Sequence, residues 1–125
     1  MRSVNLGPGG CIPIAKQDRI GLWFVGARGS VATTAMLGAF TLARGITSPW
    51  GLVTELPEFA GLDLLHLDQI VFGGWDVTSV PILERVKVLV EEDHAVSPDV
   101  VAAVREDLAL VETNIKPGYV YSARD

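Results

Sequence analysis

Arg19-Ile20-Gly21-Leu22-Trp23-Phe24-Val25-Gly26-Ala27-Arg28-Gly29-Ser30-Val31-Ala32-Thr33-Thr34 is the stretch that decides the fold. Ile20, Leu22, Trp23, Phe24 and Val25 form a nearly continuous apolar run, aromatic and β-branched, short enough for a strand. A run without alternation reads as a strand buried on both faces, as inside a parallel sheet, which makes Trp23 a core residue. The run stops at Gly26-Ala27-Arg28-Gly29, and Ser30 to Ala43 then reads as a helix rich in Ala, Met, Phe and Leu, closed by Arg44 and Gly45. The order is strand, glycine turn, helix.

That order has a chemical meaning. The N-terminus of a helix presents unpaired backbone N–H groups and about half a positive charge, and a pyrophosphate can reach them only where side chains are small. In the dinucleotide fingerprint the first glycine makes the turn, the second admits the phosphates, and the last small residue lets helix and strand pack. Gly26 fits the first place, Gly29 the place nearest the phosphates, and Ala32 the last place if the loop has one extra residue. The competing interpretation is a purely structural tight turn. A P-loop is excluded, because Thr33-Thr34 follow no lysine. Arg28 either covers a phosphate or lies solvated on the surface, and its charge leaves NADP open beside NAD.

Further along, Ile46 to Gln69 is punctuated by Pro49, Gly51, Pro57 and Gly61 and reads mostly as loop, with a possible short strand at Gly51–Glu55 and a helical turn lined by Leu62, Leu64, Leu65 and Leu67. Ile70-Val71-Phe72 is the second strand, stopped by Gly73-Gly74. A helix follows from Ser79, with Pro81 in its first turn and Ile82, Val86, Leu89 and Val90 on one side. Ser97-Pro98-Asp99 then opens the clearest helix: a hydroxyl cap, proline at the first helical position and an acid facing the dipole. Val100, Val101, Val104, Leu108 and Val111 recur at helical spacing until Asn114, Pro117 and Gly118 end it. The sum is an α/β, Rossmann-type dinucleotide-binding fold, truncated: a parallel sheet with flanking helices, two strands and three helices of a six-stranded fold. Residues 1–18 read as a loosely ordered extension and 19–125 as the partial domain.

An acid after the second strand can accept hydrogen bonds from the adenosine ribose. Glu55 lies about 26 residues beyond Gly29, near the ordinary interval of roughly 20, whereas Asp76 directly follows the stronger strand. Spacing favours Glu55 and context favours Asp76.

Composition narrows the rest. The chain has 125 residues, 49% of them hydrophobic, which allows one core. A net charge of −5 with scattered basic residues gives no face for a nucleic acid. Apolar runs are too short to cross a membrane, and Gly7, Pro8, Gly9, Gly10 and Pro13 interrupt any signal-peptide centre. The single cysteine, Cys11, excludes an internal disulfide and suits a reducing compartment, so the expected location is cytoplasmic. His66 and His94 have no partner at metal or triad spacing, so neither metal nor catalytic residues are assigned. Trp50 reads as loop or interface.

Gly26-Ala27-Arg28-Gly29-Ser30-Val31-Ala32-Thr33-Thr34, followed by Gly74-Trp75-Asp76, resembles the N-terminal region of the myo-inositol-phosphate synthase family. The resemblance runs from about Arg19 to Val111. It implies an NAD-binding Rossmann domain with Gly26, Ala27, Arg28, Gly29, Ser30 and Val31 in the phosphate loop and Asp76 as the ribose-binding acid, which decides against Glu55. Arg28 stands where that family has glycine, and Ser30 and Val31 where eukaryotic members have asparagines, as in a divergent bacterial-type branch. The family isomerises glucose 6-phosphate to inositol phosphate, using NAD to oxidise C5 and returning the hydride after enolisation and aldol closure. Its catalytic lysines lie in a later region without counterpart here; Lys16, Lys87 and Lys116 match no catalytic motif. The expected partners are therefore NAD, a sugar phosphate only in a full-length parent, and a second copy if it oligomerises, with the chain inactive by itself. The alternatives are a stand-alone dinucleotide sensor or partner module and a small interaction domain without cofactor.

Overall fold

The structure is a computed structural model, and it describes residues 18–120. The expected N-terminal extension therefore lies, except for Asp18, outside the described residues. In chain order the elements are β1 (Ile20–Val25), α1 (Ser30–Ala43), β2 (Ile70–Asp76), α2 (Ile82–Glu91), α3 (Pro98–Glu112) and β3 (Ile115–Pro117), with short 3-10 turns at Val53–Glu55, Pro57–Phe59 and Leu67–Gln69. The three strands form one parallel sheet in the order β1-β2-β3, with Ile20 beside Ile70 and Gly74 beside Ile115. Each connection is a helical crossover, as parallel neighbours require. The fold class is thus the expected α/β, Rossmann-type one.

Alternation along the strands sorts the sheet into two faces. Phe24 and Phe72 lie on one face, with Phe40 of α1 set edge-on against Phe72 at 5.4 Å between centroids. Around them Met36 and Leu37 of α1, Ile82 and Val86 of α2, and Val104, Leu108 and Val111 of α3 make the core. Among the described residues no element covers the opposite face, where Trp23 is 48% exposed, Trp75 50% and Val25 85%, and β1 has a single strand neighbour. This corrects two expectations. β1 is not covered on both faces, and Trp23 is not a core residue; it packs edge-on against Trp75 with centroids 5.3 Å apart. An unbroken apolar run shows that both faces can be covered, and here only one is.

Further corrections concern where the elements begin and end. Gly73-Gly74 does not stop β2, which continues to Asp76. A Cβ at Gly74 would lie 2.3 Å from the Phe24 carbonyl oxygen and 2.7 Å from the Ala27 Cβ, so this glycine is what lets the turn after β1 close onto β2. Gly51–Glu55 is not a strand: it lacks a pairing partner and winds into the 3-10 turn at Val53–Glu55. The second helix starts at Ile82, with Pro81 extended as its cap; Ser79 and Val80 stay out of it, as proline disfavours helical geometry in the residue before it. Finally, Ile115–Pro117 is a third strand, not merely the stop after α3. The leucine-lined turn is realised only at its end, in Leu67–Gln69, where the Gln69 side chain accepts a bond from the His66 amide.

Candidate functional site

β1, β2 and β3 all end on the same edge of the sheet, and the loop from β1 to α1 crosses that edge. Gly26 turns the chain at φ +89°, a left-handed conformation that glycine takes without strain. The amides of Gly26 and Ala27 both donate to the Trp75 carbonyl, at 2.8 and 3.0 Å, continuing the β1–β2 ladder into the turn. Ala27 is fully buried above Gly74. The Arg28 amide donates to Oδ2 of Asp76 at 2.6 Å, and the Gly29 amide to the Gly26 carbonyl at 3.0 Å. Every amide from Gly26 to Gly29 is therefore committed within the protein.

The next three are not. Gly29 caps α1 in extended geometry (φ −73°, ψ 160°) and offers no side-chain oxygen, and the first turn of the helix carries no acid. The Thr33 amide is the first to bond backward, to the Gly29 carbonyl at 3.0 Å; the amides of Ser30, Val31 and Ala32 have no hydrogen-bond partner among the described residues. Ser30 and Val31 are exposed. A Cβ on Gly29 would approach the Gly26 carbonyl oxygen to 3.1 Å, tighter than ordinary contact, so a side chain at residue 29 would press on the turn.

Asp76 ends β2 and is only 8% exposed. Its Oδ2 accepts the Arg28 amide and its Oδ1 the Thr78 amide at 2.9 Å, while its carbonyl accepts the Gly118 amide at 2.7 Å. One residue thus joins the loop, the chain after β2 and the chain after β3. Beside it opens a hollow of about 600 Å³ bounded by Val25, Gly26, Trp75, Asp76, Val77 and Tyr119. Glu55 lies exposed in its 3-10 turn and does not line this hollow.

The Arg28 side chain turns away from the free amides. Its Nη1 donates to the Thr78 carbonyl at 2.8 Å, and its Nε (2.9 Å) and Nη2 both donate to Oε1 of Glu112 at the end of α3. The other oxygen, Oε2, accepts the Ile82 amide at the start of α2 at 2.9 Å. Arg85 Nε reaches back to the Arg28 carbonyl at 3.2 Å. Sequence reading gave no role to Glu112 or Thr78, and took Gly74 as a strand stop rather than as the place where the loop closes onto β2. Glu112 had one legible peculiarity, an acid at the end of a helix where the dipole favours a base.

His66 and His94 are both exposed, and among the described residues no group of three His, Cys, Asp or Glu is placed to hold a metal. No helix there is long and apolar enough to cross a membrane.

A parallel sheet, a glycine turn onto a helix with bare N-terminal amides and an acid closing the next strand define a Rossmann-type dinucleotide-binding domain. Residues 20–122 match the family model described as myo-inositol-1-phosphate synthase. The chain belongs to that family, as its NAD-binding domain. It is 34% identical over 70 residues to inositol-3-phosphate synthase 1 of Bacteroides thetaiotaomicron, an alignment covering 47% of this chain and 16% of the relative.

Proposed function

We propose that this domain holds NAD with its pyrophosphate on the amides of Ser30, Val31 and Ala32 and its adenosine ribose on Asp76. The observation that carries this reading is the helix end left without cap, acid or hydrogen-bond partner, reached by a loop whose Gly26 lines the same hollow as Asp76. An anion there satisfies three orphan donors and meets the positive end of the α1 dipole. Gly26, Ala27, Arg28 and Gly29 then shape the loop, and Ser30 and Val31 contribute backbone donors, so replacement of family asparagines at those two places leaves the main-chain contacts intact. Asp76 accepts one bond on each carboxylate oxygen, and each oxygen has a second lone pair for a ribose hydroxyl. The same negative charge repels the 2′-phosphate of NADP, and Arg28, bonded to Glu112, is not free to offset it.

In a complete isomerase the bound nicotinamide would accept and return a hydride, while this domain orients it and shields it from water. The conversion of glucose 6-phosphate to inositol phosphate is thus the reading for the parent enzyme, with this chain inactive alone. Calorimetry of the folded chain tests the binding claim: NAD should give a saturable heat, NADP a weaker one, and Asp76→Ala should weaken NAD by roughly tenfold, as for loss of hydrogen bonds to a charged group. A folded chain giving no heat with NAD sinks the reading.

A further inference from the structure

We infer that Glu112 is a positioning residue of the dinucleotide loop, acting through Arg28 rather than on the cofactor; the inference rests on the NAD-binding reading above. The two residues are 84 positions apart in sequence and meet only because α3 ends beside the loop. All three nitrogens of the Arg28 guanidinium donate to protein, through three of its five N–H groups: Nε and Nη2 to Glu112 Oε1, Nη1 to the Thr78 carbonyl. Its side chain is 13% exposed, so these bonds are little diluted by water. Thr78 in turn donates its amide to Asp76, whose other oxygen takes the Arg28 amide. The result is a closed circuit in which the backbone of residue 28 is fixed by Asp76 and its side chain by Glu112. Residue 28 immediately precedes the cap of α1, so its placement sets where the three bare amides point.

Glu112 itself breaks a local rule. It sits at the C-terminal end of α3, where the carbonyl dipoles disfavour an anion, and no base occupies that last turn. Its position is explained by its partners, since it neutralises Arg28 and also caps α2 through Ile82, where Pro81 provides no side-chain cap. A residue that opposes its own helix and satisfies two other segments acts on the tertiary arrangement.

The test is a double-mutant cycle on the full chain, with Glu112→Gln and Arg28→Met, reading NAD affinity by calorimetry and adenosine binding by chemical-shift titration. Glu112→Gln should weaken NAD by roughly tenfold, the effect of loosening a charged hydrogen bond, and leave adenosine unchanged, because adenosine has no pyrophosphate to misplace. Added to Arg28→Met, it should weaken NAD no further, whatever it does to the melting temperature. Amide exchange at Arg28 and Gly29 should quicken in Glu112→Gln without ligand. A Glu112→Gln protein that binds NAD like the native chain overturns the positioning role while leaving the NAD reading intact. So does an equal loss for NAD and adenosine, or a loss that is additive with Arg28→Met. A native chain that binds no NAD overturns both.

Discussion

The beginnings of α1 and α3 are built on opposite plans. At α3, Ser97 accepts the Val100 amide, Pro98 removes a donor, and Asp99 places a negative charge in the first turn. At α1, Gly29 provides no side chain, no proline removes a donor, and no acid is present. At the α3 end only the Asp99 amide lacks a hydrogen-bond partner among the described residues. The α1 end leaves its donors uncommitted, and it follows the loop whose Gly26 lines the hollow beside Asp76. Helix capping stabilises by about 1 kcal/mol, so a helix of 14 residues that forgoes it is giving up stability at the place where an anion can supply the missing acceptors.

The contrast can be broken most severely at Gly29. Gly29→Val should reduce NAD affinity by about a hundredfold, about 2.7 kcal/mol, since a branched side chain would fill the space in front of the three amides. Calorimetry reads the loss, and circular dichroism checks that the helix persists. Ser30→Asp sharpens the contrast by making α1 resemble α3: it should raise the melting temperature, as an acid at a helix start contributes about 0.3–1 kcal/mol, while weakening NAD by several-fold through charge repulsion. A variant that gained stability and kept full affinity would show that the anion binds elsewhere. The smallest effect on binding belongs to Ser97→Ala, which should cost about 1 kcal/mol in denaturant unfolding with NAD affinity unchanged.

What could be read in the sequence follows from how local the determinants are. β1, its glycine turn, α1 and the capped start of α3 are each specified by residues within one turn or strand, and each stands where it was expected. β2 was read short because glycine ordinarily punctuates a strand, whereas Gly73 and Gly74 are demanded by what lies across from them. Trp23 comes within 3.0 Å of a Cβ at position 73, and the Phe24 carbonyl still closer to one at 74. β3 escaped because three residues ending in proline carry no period, and only the register with Gly74, Trp75 and Asp76 makes them a strand. In the site, the loop and Asp76 were legible as a motif. The direction of Arg28 was not, because its partner Glu112 is fixed by the packing of α3 and by no spacing in the chain.

The crossed indoles of Trp23 and Trp75 carry a consequence of their own. They come from neighbouring strands two positions out of step, since Trp23 pairs with Gly73 and Val25 with Trp75. Two such chromophores at near-right angles couple their excited states, and the coupling lasts only while both strands keep their alignment. A slip of a single residue would throw one ring to the far side of the sheet and uncouple them. The molecule therefore carries an optical gauge of its own strand alignment, next to the place where the cofactor is expected to lie.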